Sequence, residues 1–262
     1  MIFFLHIPKT AGTTFYEIVK ANHKSFLKPK IEESSFDYLK NNIKHKNLAI
    51  RLPGGYESAP QTLKVIEGLN DDVLEKVSFI GGHVGFGYHE QTNQQITYIS
   101  FLRDPKKRLI SDYKEHCKKG RFFYNTLLEN EFSFNAYLNA VKEYKLDNIM
   151  TRQLAGPYDF FLKNRKIIDE ELFERAQENA KLVTFFRMED FDLALLYLKK
   201  KYNWKRIKYQ RKNESISKMV NSDINKKLLN EVVGYDLKLY SDIIPIQKAQ
   251  RFNFRSLFTK RE

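Results

Sequence analysis

The sequence predicts an α/β fold: a single domain with a central parallel sheet flanked by helices. Two observations carry that prediction. Short apolar runs at 2–7, 47–51, 77–81, 95–102 and 181–186 have the length of strands. Between them lie helical stretches at 13–23, 61–69, 106–119, 132–143, 147–155, 169–180, 190–202 and 222–240. Strands alternating with helices are the pattern of a parallel sheet with helices on both faces. Length agrees, since 262 residues with 42% apolar content can bury one large core.

The first strand, Ile2 to Leu5, is rich in β-branched and aromatic residues, and His6-Ile7-Pro8 breaks the run. Lys9-Thr10-Ala11-Gly12-Thr13-Thr14 then opens a helix. A strand, a tight turn with lysine, glycine and hydroxyls, and a helix together build a phosphate cradle. Free N–H groups and the helix dipole favour an anion there. An ordinary strand–helix connection with a threonine cap is the simpler alternative. The nucleotide loop G-x-x-x-x-G-K-[ST] fits poorly, because Pro8 stands where that loop has glycine and Gly12 follows the lysine.

Residues 24–60, with the 47–51 run inside them, and residues 203–221 stand out as long connections of the kind that form lids or substrate walls. The strand QITYISFL ends at Arg103. Asp104 is then a good N-cap and Pro105 a good first residue for a helix starting at Lys106 or just before. Arg108 and Ser111 lie three apart on one face of that helix. A strand-end guanidinium and a helix hydroxyl suit one phosphate; pairing of Arg103 with a carboxylate such as Asp104 is the alternative. No internal repeat or low-complexity linker divides the chain. The domain is expected over 1–245, with a basic tail at 246–262.

The net charge of +13 is unevenly spread, with about +11 of it in residues 199–262. This excess suits attraction of a multiply anionic ligand or an acidic acceptor. Contact of the tail with a membrane surface or with nucleic acid is the alternative, although no nucleic-acid-binding motif is present. No apolar run reaches the ~18 residues of a membrane span, and no basic leader precedes the first strand. Cys117 is the only cysteine, which excludes an intramolecular disulfide and points to a bystander rather than a nucleophile. These features lead to an expected cytoplasmic, bacterial setting.

Pro8-Lys9-Thr10-Ala11-Gly12-Thr13-Thr14 resembles the 5′-phosphosulfate loop of sulfotransferases that use 3′-phosphoadenosine 5′-phosphosulfate (PAPS). The stretch LRDPKKRLISDY resembles their 3′-phosphate segment. Four further stretches fit in order: Gly81-Gly82-His83-Val84, Asn148–Gly156, Phe185–Leu196 and Tyr209–Ser215. The chain is thus similar, along most of its length, to PAPS-dependent sulfotransferases of the group that includes heparan sulfate 2-O-sulfotransferase and bacterial carbohydrate-type enzymes. One departure is Phe186-Arg187-Met188-Glu189, where the group often has Gly-Leu-Thr-Glu.

The resemblance implies a P-loop-like domain and transfer of a sulfuryl group from PAPS to a hydroxyl of a carbohydrate or glycoconjugate. No metal is implied, and no zinc-like spacing is present. It implies cofactor contacts from Lys9, Thr10, Ala11, Gly12, Thr13 and Thr14, and 3′-phosphate contacts from Arg103, Ser111 and Arg211. In-line displacement needs a cation at the departing phosphate oxygen and a base for the acceptor hydroxyl. Lys9 is the expected cation. His83 is the expected base, with His89 its rival and Glu90 a weaker one. His6, beside the cradle, packs or caps locally. Asn148 and Arg152, four apart on a helix, either read the acceptor or brace the site. A P-loop phosphotransferase or nucleotide kinase and a noncatalytic polyanion-binding protein are the alternative functions.

Overall fold

The computed structural model describes residues 1–29, 46–53, 62, 69, 71–156, 167–209 and 224–243. Arg211, the tail at 246–262 and nearly all of the expected 61–69 helix lie outside the described residues. Six strands form one sheet: β1 (Ile2–Leu5), β2 (Ser25–Leu27), β3 (Leu48–Arg51), β4 (Val77–Gly82), β5 (Thr97–Leu102) and β6 (Val183–Arg187). Their order is β2-β3-β4-β1-β5-β6, and every pairing is parallel. This bears out the α/β class and the central parallel sheet.

Among the described residues the helices are α1 (Gly12–Asn22), α2 (Asp71–Leu74), α3 (Pro105–His116), α4 (Tyr124–Glu129), α5 (Phe134–Glu143), α6 (Ile149–Ala155), α7 (Glu170–Ala180), α8 (Phe191–Tyr202) and α9 (Lys226–Asp242). Period-2 alternation splits β1 between two cores. Ile2 and Phe4 pack with Phe15 and Val19 of α1 and Leu195 of α8. Phe3 and Leu5 face the other side, where α3, α5, α6, α7 and α9 contribute Leu109, Tyr137, Met150, Leu172 and Val233. A sheet covered on both faces explains why β1 is apolar at every position.

Caps set several helix starts. Asp104 accepts from the Lys107 N–H at 2.8 Å with Pro105 in the first turn, so α3 begins where the sequence predicts. Ser133, Asp169 and Asn225 cap α5, α7 and α9 in the same way.

Three local expectations are corrected. β1 stops at Leu5 rather than residue 7, although the His6 N–H still bonds the Gly82 carbonyl at 3.0 Å. The 24–60 connection holds β2 as well as β3; a three-residue, half-buried strand is too short to show a period. α2 and α4 have no counterpart among the expected helices; α2 is a single four-residue turn, and the N-cap of α4, Phe123, makes no side-chain cap bond. Within 203–221, the described part at 203–209 is fastened to α1. Asn22 Oδ1 accepts from the Lys205 and Arg206 N–H groups, and buried Trp204 lies against Phe15. No helix among the described residues is long and apolar enough to cross a membrane.

Candidate active site at the C-terminal edge of the sheet

Parallel strands bring all their carboxyl ends to one edge, where open α/β sheets place their ligands. Reading across that edge, Arg51 ends β3, His83 follows β4, the Lys9–Gly12 turn follows β1, and Arg103 follows β5. Residues far apart in sequence therefore stand in one row, with the turn at its centre.

The turn is strained. Lys9 and Ala11 both adopt left-handed backbone, with φ of 68° and 63°, a conformation that costs a residue with a Cβ about 1–2 kcal/mol. It curls the chain so that α1 starts directly over β1. The Thr10 hydroxyl is spent inside the turn, donating to the Ile7 carbonyl at 2.8 Å. Phe15 is the first residue of α1 to close a helical bond, to the Ala11 carbonyl. The N–H groups of Gly12, Thr13 and Thr14 thus have no intrahelical acceptor. Thr13 is exposed and Thr14 buried. Gly12 is fixed by sterics, since a Cβ there would fall 1.9 Å from His6 Nε2.

Two cations border the turn. Arg103 Nη1 donates to the Lys9 carbonyl at 3.2 Å, so the arginine braces the cradle rather than pairing with Asp104. Burial lowers its pKa, with Glu189 and Asp104 opposing. Lys9 Nζ lies 3.4 Å from Glu115 Oε2 on α3. Glu115 also holds Lys118 and Arg121. Burial would raise its carboxyl, but the Lys118 hydrogen bond and the charges of Lys9, Arg121 and Lys118 outweigh burial and bring it down to about 2. Ser111, half-buried on α3, is four residues before Glu115 and shares its face toward the cradle.

His83 is held by its neighbour strand. Its Nδ1 lies 2.7 Å from the His6 carbonyl, which can only accept, so Nδ1 carries the proton and Nε2 keeps its lone pair. Burial pushes its pKa down to about 4; Arg51 and Lys9 add to this, while the His6 carbonyl and Asp112 oppose it. The imidazole is neutral at neutral pH and competent to accept a proton. His89, the rival, bonds the Tyr98 hydroxyl and packs on Phe86, both members of the core opposite α1. Glu90 is exposed beside it.

Several neighbours escaped the sequence reading. Arg51 lies over the Tyr16 ring at 4.4 Å, and Glu115 stands 3.4 Å from Lys9 Nζ. Only the position of Arg51 at a strand end hinted at the first, and only the Ser111–Glu115 spacing at the second. Asn148 and Arg152 turn out to be braces. Asn148 Oδ1 accepts from the N–H groups of Tyr235 and Asp236 in α9, and Arg152 is clamped on Asp147 at 2.8 Å. Burial raises the Cys117 thiol, the opposite of activation. Among the described residues no cluster of three or more His, Cys, Asp or Glu is placed to hold a metal ion.

A family model described as the sulfotransferase family matches residues 1–241 of the chain. No curated protein matches it significantly.

Proposed function

The chain belongs to the sulfotransferase family, and on that premise we propose that it moves a sulfuryl group from PAPS to a hydroxyl of a carbohydrate or glycoconjugate acceptor, with Lys9 and His83 as its catalytic residues. The residues at the cradle suit such a co-substrate. Three helix N–H groups, the Lys9 ammonium and the Arg103 guanidinium are all donors. PAPS supplies the activated sulfuryl group as a substrate of the reaction.

His83 Nε2 takes the acceptor's hydroxyl proton as the acceptor oxygen bonds to sulfur. Lys9 Nζ meets the phosphate oxygen that receives the electron pair of the breaking S–O bond. Its contact with Glu115 is long at 3.4 Å, so the ammonium can turn to that oxygen without giving up a tight ion pair. The proton stays on the imidazolium, and the adenosine bisphosphate departs with its pair of electrons. Arg103 is assigned to the 3′-phosphate together with Ser111 and Arg211.

The observation that carries this reading is the Nδ1–H bond from His83 to the His6 carbonyl, which leaves Nε2 as the ring's basic atom. Calorimetric titration with 3′,5′-adenosine bisphosphate, against ATP and AMP, tests the cofactor. Turnover of radiolabelled PAPS on an acceptor panel tests the reaction. Micromolar bisphosphate binding that survives His83→Gln, with turnover abolished in that variant, is the expected result. Preference for ATP with magnesium, or loss of bisphosphate binding in His83→Gln, would sink the cofactor or the base assignment respectively.

A further inference from the structure

The short sequence between β1 and the cradle contains a second imidazole that the proposed chemistry does not use. His6 is 6% exposed. Its ring lies parallel to that of His83, with centroids 4.1 Å apart and an interplanar angle of 25°. It stacks on Phe4 of β1 at 5.2 Å, and Tyr16 of α1 meets it edge-on at 5.5 Å. Its Nε2 edge fills the space where a Cβ of residue 12 would stand. Its carbonyl is the acceptor that fixes the His83 tautomer. One residue therefore touches the base through both ring and backbone, and touches the cradle through its ring edge.

We infer that His6 is a positioning residue that locks His83 to the cradle, and that glycine is needed at position 12 because the His6 ring occupies the space of its side chain. This rests on His83 being the base. The backbone bond alone fixes one ring nitrogen but leaves His83 free to swing about it; the stacked ring removes that freedom. Shortening residue 6 opens a space beside His83, lets the ring rotate and admits water. Adding a methyl at residue 12 displaces the His6 ring edge, and with it the surface on which His83 stacks.

Misplacement of a reacting group by about 1 Å costs about a hundredfold in rate, so kcat should fall by that order in His6→Ala while bisphosphate affinity stays within a few fold. Two readouts separate this from a loss of fold. In 15N-histidine spectra the His83 ring signals should shift and broaden as the ring gains freedom about its bond to the residue 6 carbonyl, which the substitution leaves in place. The midpoint of its titration should also rise toward the ordinary imidazole value as water replaces the ring. The charged or titratable groups acting on His6 are Arg51 of β3, His83 after β4 and Lys9 of the cradle, with the Tyr16 phenol of α1 beside its ring.

Gly12→Ala should cost a similar factor in the parent chain and little on the His6→Ala background, because the two changes compete for one space. Unchanged His83 ring signals and kcat in His6→Ala, or an equal cost of Gly12→Ala on both backgrounds, overturns the inference. If His6→Ala does not fold, Gly12→Ala alone must alter the His83 spectrum, and failure to do so overturns it equally. The spectra, and the coupling of the two substitutions in thermal unfolding, need no turnover. They therefore judge the interlock even if the enzyme proves not to use PAPS.

Discussion

The proton affinity of His83 gives the sharpest quantitative test. An ordinary histidine titrates near 6.5, and His83 is pushed to about 4, chiefly by burial and then by Arg51 and Lys9. At pH 5.5 an unperturbed imidazole is about 10% neutral, whereas one with a pKa of about 4 is about 97% neutral. His83, the proposed base, should therefore stay neutral through mildly acidic pH. The stability consequence has a definite sign. Between the two values the unfolded chain holds a proton on this residue and the folded chain does not, so stability rises with pH across that window. From this group alone, folding should be about 3 kcal/mol weaker below pH 4 than above pH 6.5. His6, whose pKa is also lowered by burial and by His83, Arg51 and Lys9, acts in the same direction. The assay is 15N-histidine NMR titration of the free protein, paired with urea unfolding across pH 4–7 for the parent chain and His83→Gln. A His83 midpoint near 6.5, or a slope of stability against pH that is the same in His83→Gln, refutes the argument.

Three further outcomes are expected. Lys9→Ala should lower kcat by orders of magnitude in the sulfuryl-transfer assay, with a much smaller effect on bisphosphate affinity, because the charge it answers develops in the transition state. Arg103→Ala should weaken bisphosphate binding by about 1.5–3 kcal/mol in calorimetry, the range of a hydrogen bond to a charged group; an unchanged affinity would remove Arg103 from the binding site. Asp236→Ala should destabilise the fold by about 3 kcal/mol in chemical denaturation, because buried Asp236 accepts from the Met150 and Thr151 N–H groups and the Thr151 hydroxyl at the start of α6, and its loss strands those donors.

Much of the architecture was legible in the chain because its signals are local. Apolar runs mark β1, β4, β5 and β6, and the Asp104-Pro105 pair marks the start of α3 to within a residue. The cradle was legible for the same reason: a strand, a turn with lysine and glycine, and a helix follow one another without interruption. Elements with weak local signals were missed. β2 is three residues long, and α4 begins without a side-chain cap.

The sequence by itself determined the fold class, the cradle after the first strand, and the identity of Lys9, His83 and Arg103 as candidates. Each lies at the end of an apolar run, where a parallel sheet puts its ligands, and the resemblance to the PAPS-dependent sulfotransferases singles out His83 and Arg103. Tertiary structure alone decided how those residues meet. The order β2-β3-β4-β1-β5-β6 sets β4 and β5 on either side of β1. That adjacency stacks His6 on His83, gives His83 its tautomer, brings Arg51 within electrostatic reach of both rings and lays Arg103 on the Lys9 carbonyl. Packing of α3 over the turn adds the contact of Glu115 with Lys9. None of these contacts has a local signature, because each joins residues whose proximity depends on which strands become neighbours and in what register. Glycine at position 12 spans both levels: the chain displays it as a turn residue, and only the packed His6 ring explains why a side chain there would not fit.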